Sequence, residues 1–412
     1  MRPRAACLTP DAAAAAWLCS AAAVRERCGA MLNTALQDGL PHFRVDPAQL
    51  PACADYVAGV IRRNYPTLDI PHHARWRHFS AGGVDRWGAL RATLGDLDTA
   101  ELARTRIDLC VVSVLLDAGA GPGWTYREPG AGLEAGAGLV LARSEGLAVA
   151  SFDAFRAGMF SAKGLPQVDA AGLAGIGAAA LGRAFQVSDD NPLAGLEGRA
   201  ALLRRLGAAL LARPDLFGQG RPGGLFDALA GQGEVAAATV LAALLDGFGP
   251  AWPSRIVLAG RPLGDVWRHP AAPGDGLVPF HKLSQWLAYS LIEVFEDAGV
   301  AVIGISALTG LPEYRNGGLL LDTGVLRLRD PALADALLTV DHPAVVEWRA
   351  LTVALLDRLA PLIRSRLGRD EATLPLSRIL EGGTWAAGRA IAAERRPGGG
   401  PPLRVASDGT VF

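Results

Sequence analysis

The chain has 412 residues, a formal net charge of −1, 50% hydrophobic and 20% charged residues, which excludes disorder, collagen and a disulfide scaffold and leaves one large domain or two ordinary ones. Arginines scattered among carboxylates at near-zero net charge give no nucleic-acid footprint, so a small-molecule partner is expected. Of the 40 basic residues only Lys163 and Lys282 are lysines, so a lysine that survives this arginine bias is a better clue than any single arginine.

At the N-terminus, Arg2 and Arg4 precede an alanine-rich run that mimics a leader. Pro10-Asp11 interrupts its apolar part, and the run continues into Val24-Arg25-Glu26-Arg27 at helical spacing, so the expectation is a helix over 12–38 ended by Gly39 and Pro41. Cys7, Cys19, Cys28, Cys53 and Cys110 are odd in number and contain no C-x-x-C pair. They suggest neither a zinc knuckle nor a disulfide framework, but thiols in a reducing cytosol. No apolar stretch reaches the ~18 residues of a membrane span, so a cytoplasmic protein with no membrane partner is expected.

Pro41-His42-Phe43-Arg44-Val45-Asp46 alternates like a short strand, and a helical stretch over 47–64 follows. The run from Asp69 to Phe79 holds His72, His73, Arg75, Trp76, Arg77 and His78, a composition unlike that of a buried helix. It suits binding of a sugar, base or phosphate, or else an Arg-Trp cation–π clamp that closes a loop. Residues 104–118 form an apolar helix interrupted by Asp108 and Asp117; a buried carboxylate must find a partner, so Asp108 is either a satisfied core acid or a site residue. Trp124-Thr125-Tyr126 reads as a short strand. Further helices are expected at 133–145, 151–159, 169–185, 196–212, 224–230 and 234–248.

A Pro/Gly/Asp-rich loop over 260–279 leads into Val278-Pro279-Phe280-His281-Lys282 and then a helix to about 298. Leu283, Leu287, Leu291 and Val294 mark its apolar face, and Lys282, Gln285, Tyr289, Glu293 and Glu296 a polar stripe. Residues 331–338, 343–369 and 376–394 supply more helix. The fold class is mainly α, with a few short strands: an N-terminal helical segment (1–40) packed on a large domain (41–396), followed by a tail (397–412).

Leu311-Pro312-Glu313-Tyr314-Arg315-Asn316-Gly317-Gly318 packs a carboxylate, a phenol, a guanidinium and an amide into four successive residues. Pro312 fits a first helical turn, which would place Glu313 near a positive dipole end and favour its ionised form. Such a carboxylate suits stabilising a cationic transition state or orienting water. Lys282 and Arg315 are the groups to hold a phosphate, or else members of a surface ion pair. Gly318 to Gly324 superficially resembles the ribose-phosphate loop of phosphoribosyltransferases, without its second acidic residue. No metal-ligand spacing is present, and neither a metal nor a cofactor is expected.

Pro41-His42-Phe43, Asp69-Ile70-Pro71 with Arg75 to Phe79, Val278 to Trp286, and Leu308 to Gly318 through Leu326 together resemble the uracil catabolism protein family of fungi and bacteria, in order and over essentially the whole chain. More remotely, Phe280-His281-Lys282-Leu283-Ser284-Gln285, Glu313-Tyr314-Arg315 and Gly324-Val325-Leu326 are similar to the queuosine salvage N-glycosidases. Ile107-Asp108-Leu109 and Trp124-Thr125-Tyr126 have counterparts there too. That resemblance implies a helical fold related to DNA glycosylases, here with Glu313 in place of the relatives' aspartate. It implies Glu313 and Asp108 as catalytic residues, and substrate contacts from Lys282, Arg315, Tyr314, His281, Trp286, Gln285, His42, Phe43, Arg75, Trp76 and His78. The implied activity is hydrolysis of a ribosylurea-type N-glycosidic bond, on the nucleoside or its 5′-phosphate, in association with other uracil-catabolism enzymes. The alternatives are an accessory subunit of the ring-opening enzyme and a phosphoribosyltransferase.

Overall fold

The computed structural model describes residues 9–121, 123–130 and 138–406. Helices dominate, and the strands among the described residues form six isolated two-stranded pairs with no larger sheet. The mainly α expectation therefore holds. The helix Pro343–Leu367 runs through the core, buried on nearly every face of its first five turns, with Ala21–Leu36 and Leu50–Asn64 packed against it. A second layer pairs the apolar helix Thr99–Leu115 with Lys282–Asp297. One continuous apolar cluster extends from Ala15 to Leu403.

The departures from periodicity have local causes. The helix expected over 12–38 breaks at Cys19 because Ser20 is extended and caps a new helix, accepting the Ala23 N–H at 3.1 Å. The 169–185 stretch divides into Ala170–Ala174 and Ala178–Ala184 around two glycines. Of the helix expected at 133–145, residues 133–137 lie outside the described residues, and Leu139–Ala142 is a strand paired with Thr125–Glu128. Glu234–Ala236 is likewise a strand, parallel to Ala301–Ile303, before its helix begins. The short strand at Phe43–Val45 pairs antiparallel with Leu326–Leu328. Within the segment expected as a tail, Arg404–Val405 pairs with Leu337–Leu338 and Leu403 is buried.

Two corrections bear on function. The Asp69–Phe79 run is an interior element: Arg75–Phe79 is a short helix with Arg75, Trp76, His78 and Phe79 all buried. The stretch over 376–394 contains a π-helical turn, Leu380–Trp385, between Leu376–Ile379 and Ala386–Arg395. Such turns are rare and recur at functional sites. Among the described residues, no helix is long and apolar enough to cross a membrane.

Candidate functional site

The site is assembled from the start of the Lys282 helix outward. The Asp265 carboxylate accepts from Arg349 Nη1 at 2.9 Å and Nη2 at 2.8 Å, from Trp267 Nε1 at 2.6 Å, and from the Lys282 backbone N–H at 3.0 Å. Burial alone would raise the Asp265 carboxyl, but the Arg349 guanidinium and these N–H donors outweigh it and hold it well below the usual carboxylate range. The anchored acid caps the helix and holds a turn in which His281 adopts φ 49°, a left-handed conformation. His281 Nε2 is 2.8 Å from the Leu18 carbonyl, and its ring faces a cavity lined by Cys19, Leu245, Trp252, Leu263 and Ser284. His281 is thus committed to the Leu18 carbonyl.

The polar stripe of this helix is a tether in its first two turns. Gln285 Nε2 donates to Thr309 Oγ1 at 2.7 Å and to the Phe280 carbonyl at 3.1 Å, and its Oε1 accepts the Thr309 N–H at 2.9 Å. Tyr289 Oη donates to the Thr309 carbonyl at 2.9 Å. These bonds fix the strand-like approach to Glu313, which is the N-cap itself and not a first-turn residue. Its Oε2 accepts the Arg315 N–H at 2.8 Å and its Oε1 the Asn316 N–H at 2.6 Å. The capped helix Tyr314–Asp322 is wedged tightly: a Cβ on Gly317 would come within 2.6 Å of the Trp348 ring, and one on Gly388 within 2.1 Å of the Arg315 carbonyl oxygen.

Lys282 and Glu313 are thereby brought into mutual electrostatic range, each keeping some accessible surface. Burial depresses the Lys282 ammonium, helped by the Arg349 charge and opposed by Glu313, Asp265 and Asp117. Burial raises the Glu313 carboxyl, against the pull of its two capping N–H groups, Lys282 and His73. Desolvation therefore outweighs the helix dipole, which reverses the net direction expected for Glu313.

Asp117 acts electrostatically on Lys282, and His73 on Glu313. Arg75 is fully buried, with Nη1 on Asp117 Oδ1 at 2.6 Å, Nε on Ser113 Oγ at 2.7 Å, and its guanidinium 5.4 Å from the Trp286 ring. Ser144 Oγ also donates to Asp117, at 3.0 Å. The Tyr314 hydroxyl is pushed up by burial and lies in the fields of Arg315, Glu313, Arg143 and Asp117. His73 Nδ1 is 2.7 Å from Glu381 Oε2. The rings of His73 and His78 both lie between Trp286 and Trp385, with centroids 5.5–6.0 Å apart. Lys282, Glu313 and Tyr314 thus share one electrostatic neighbourhood, His73 links Glu313 to the rings of Trp286 and His78, and Arg75 holds Asp117.

Other expected residues are engaged elsewhere. Asp108 is completely buried and accepts from Arg221 Nε at 2.6 Å, the Gly223 N–H at 2.7 Å and the Val168 N–H at 3.2 Å. It stands seven residues before the end of the Thr99–Leu115 helix, about 10 Å from that end, and is a satisfied core acid. Burial pushes it up to about 7 against the pull of Arg221 and both backbone donors. Arg315 donates to the Gly399 carbonyl at 2.8 Å and lies over the Tyr314 ring, so it is a strut for the C-terminal segment. Trp76 Nε1 bonds the Ser290 carbonyl at 2.9 Å, and Phe43 is core. Gly318 to Asp322 is helix, with Asp322 clamped by Arg396, which removes the ribose-phosphate loop reading. Residues missed on sequence grounds are Glu381, Trp385, Arg143, Asp265 and Arg349; Asp117 and His73 were visible only as polar marks.

His42 is drawn to Glu347, with Nδ1 on Oε1 at 2.8 Å, and His269 Nε2 lies 3.1 Å from the same oxygen. These three have ligand atoms within 4.8 Å of one another, the one such group among the described residues. His269 Nδ1 accepts the Ala271 N–H at 3.1 Å, so Nε2 carries the ring proton and donates to Glu347. That arrangement satisfies the carboxylate by hydrogen bonds and leaves His269 no lone pair for a metal.

Comparison with known proteins places the chain. The family described as protein of unknown function (DUF1688) matches residues 17–412. Protein urg3 of Schizosaccharomyces pombe is 41% identical over 401 residues, covering 94% of this chain and 96% of the relative. Uracil catabolism protein 4 of Lachancea kluyveri is 40% identical over 412 residues, covering 90% and 92%. The chain belongs to this family.

Proposed function

For a chain of this family, we propose a role in uracil catabolism as an N-ribosyl hydrolase that releases urea from a ribosylurea or its 5′-phosphate. The observation that carries the reading is the Glu313 carboxylate, fixed by two backbone N–H groups in the field of Lys282, which stands one turn before Trp286 on its helix. Cleavage of the C1′–N bond builds positive charge on the ribose ring, and a rigid, desolvated carboxylate stabilises such charge without reorganising. Glu313 faces the anomeric carbon or aligns the attacking water, whose oxygen forms the new C1′–O bond. Lys282 holds a ribose hydroxyl or the phosphate. Tyr314 and Trp286 wall the sugar, and Arg143 takes the phosphate-facing role once assigned to Arg315, which is committed to Gly399. The hydrolysis consumes only water and needs no redox cofactor.

The test is direct. Purified protein incubated with ribosylurea and with its 5′-phosphate should release urea, and Glu313→Ala should abolish release while the protein remains folded. Wild-type protein that releases no urea from either compound overturns the hydrolase reading. Co-purification with the ring-opening enzyme, in place of urea release, supports an accessory subunit instead.

A further inference from the structure

Urea is a poor leaving group unless a proton reaches its nitrogen as the glycosidic bond breaks, and Glu313, with both oxygens on the helix cap, is poorly placed to give one. Three histidines line the neighbouring segment, and they differ in their partners. His72 Nδ1 is 2.6 Å from Ser377 Oγ, and burial with the charges of Arg378 and Arg77 lowers it to about 4. His78 is held far below its ordinary value by burial and by the Arg75, His73, Arg389 and Arg77 charges, and its Nδ1 is sealed from solvent with no partner among the described residues. His73 alone of the three rests on a carboxylate.

That carboxylate is unusually well fixed. Glu381 sits in the π-helical turn Leu380–Trp385, whose next two residues press on the Leu50–Asn64 helix and the loop after it. A Cβ on Gly382 would lie 2.9 Å from Ile70, and one on Gly383 2.9 Å from Val57. The same stretch accepts the His73 backbone N–H through the Ser377 carbonyl at 3.0 Å. With ring and backbone both anchored there, Nδ1 is committed to Glu381, while Nε2 makes no hydrogen bond among the described residues and is not sealed from solvent. The charged or titratable groups facing His73 are Glu381 from the π-helical turn, Glu313 from its helix cap, and His78 from the Arg75 helix, with Arg389 stacked on the far tryptophan.

We propose that His73 Nε2 is the proton donor to the departing urea nitrogen, that Glu381 is the residue that positions it, and that Glu313 serves the opposite side of the same scissile bond. This rests on the hydrolase reading. As the C1′–N bond breaks, its electron pair stays with urea, which takes the proton from His73 Nε2. Water then adds its oxygen to C1′, and the proton it loses restores His73. Glu381 touches no substrate and keeps the ring oriented.

Two substrates separate the roles: ribosylurea 5′-phosphate, whose leaving group needs a proton, and 4-nitrophenyl β-ribofuranoside 5′-phosphate, whose leaving group does not. His73→Asn and His73→Gln should lose at least about 100-fold in kcat on ribosylurea phosphate while staying within about fivefold of wild type on the nitrophenyl riboside. Glu381→Gln should displace the alkaline limb of the kcat/KM profile, and Glu381→Asp should restore it in part. The wild-type protein supplies a test that needs no variant, because its alkaline limb should be present with ribosylurea phosphate and absent with the nitrophenyl riboside. Equal losses on both substrates, no loss on either, or matching wild-type pH profiles would overturn the acid role. Wild-type protein inert on both substrates removes the hydrolase reading itself, an outcome distinct from an active wild type indifferent to His73.

Discussion

Replacing Asp108 by Asn distinguishes a core acid from a catalytic one. At pH 8, above the value of about 7 to which burial lifts it, the carboxylate is charged and accepts from Arg221, Gly223 and Val168. Asn has a single acceptor oxygen and turns an NH2 group toward donors. With that oxygen in the place of Oδ2 the Gly223 N–H is stranded, and in the place of Oδ1 the Val168 N–H and Arg221 Nε are, while Arg221 keeps its Glu101 partner at 2.7 Å in either case. A stranded buried N–H costs about 1–3 kcal/mol. For a chain of this length that corresponds to a fall of about 1–4 °C in Tm, from the entropy of unfolding per residue. Thermal and urea unfolding at pH 8, with urea release measured on the folded fraction, should show this destabilisation and a kcat within about twofold of wild type. An Asn variant that unfolds with wild-type protein but loses its activity would refute the core-acid assignment.

Gln285→Leu strands the Thr309 N–H and removes a donor from the Phe280 carbonyl, costing about 1–3 kcal/mol, and should lower kcat through loosened positioning of Glu313, four residues further on; wild-type kinetics would argue against the tether. His72 has a folded-state value near 4 against an ordinary 6.5, so the unfolded chain binds more protons between those values. Its contribution is present above pH 6.5 and lost as pH falls toward 4, about 3 kcal/mol over that window. Denaturation midpoints at pH 7, 6, 5 and 4 should therefore fall less steeply for His72→Gln than for wild type. Lys282→Arg places a wide planar fork in an enclosed site already facing the Arg349 charge, and should reduce urea release at least about tenfold; near-normal activity would show that the lysine's survival was accidental.

Helical class, family membership and the two segments that meet as Lys282 and Glu313 were all legible in the sequence. Hydrophobic periodicity marks a helix wherever one face is apolar, and the Leu283, Leu287, Leu291 pattern did so. The same pattern marked Gln285 and Tyr289 only as a polar stripe, because a helix buried nearly all round uses its polar side chains on neighbouring backbone, which periodicity does not encode. The Asp69–Phe79 run misled for a related reason: Arg75, His72 and His73 are interior because Asp117, Ser377 and Glu381 satisfy them.

Composition and local pattern determined the helical architecture and picked out one exceptional lysine with one exceptional carboxylate. Which groups join them was decided only by tertiary structure. His73 and Glu381 are 308 residues apart in sequence, and Gln285 and Thr309 are 24 apart. Arg315, adjacent to the site by sequence, is turned outward to Gly399 by its place on the helix. Local physics sets the periodicity of each element, but the partner of a buried polar side chain is whichever group packing brings within about 3 Å of it.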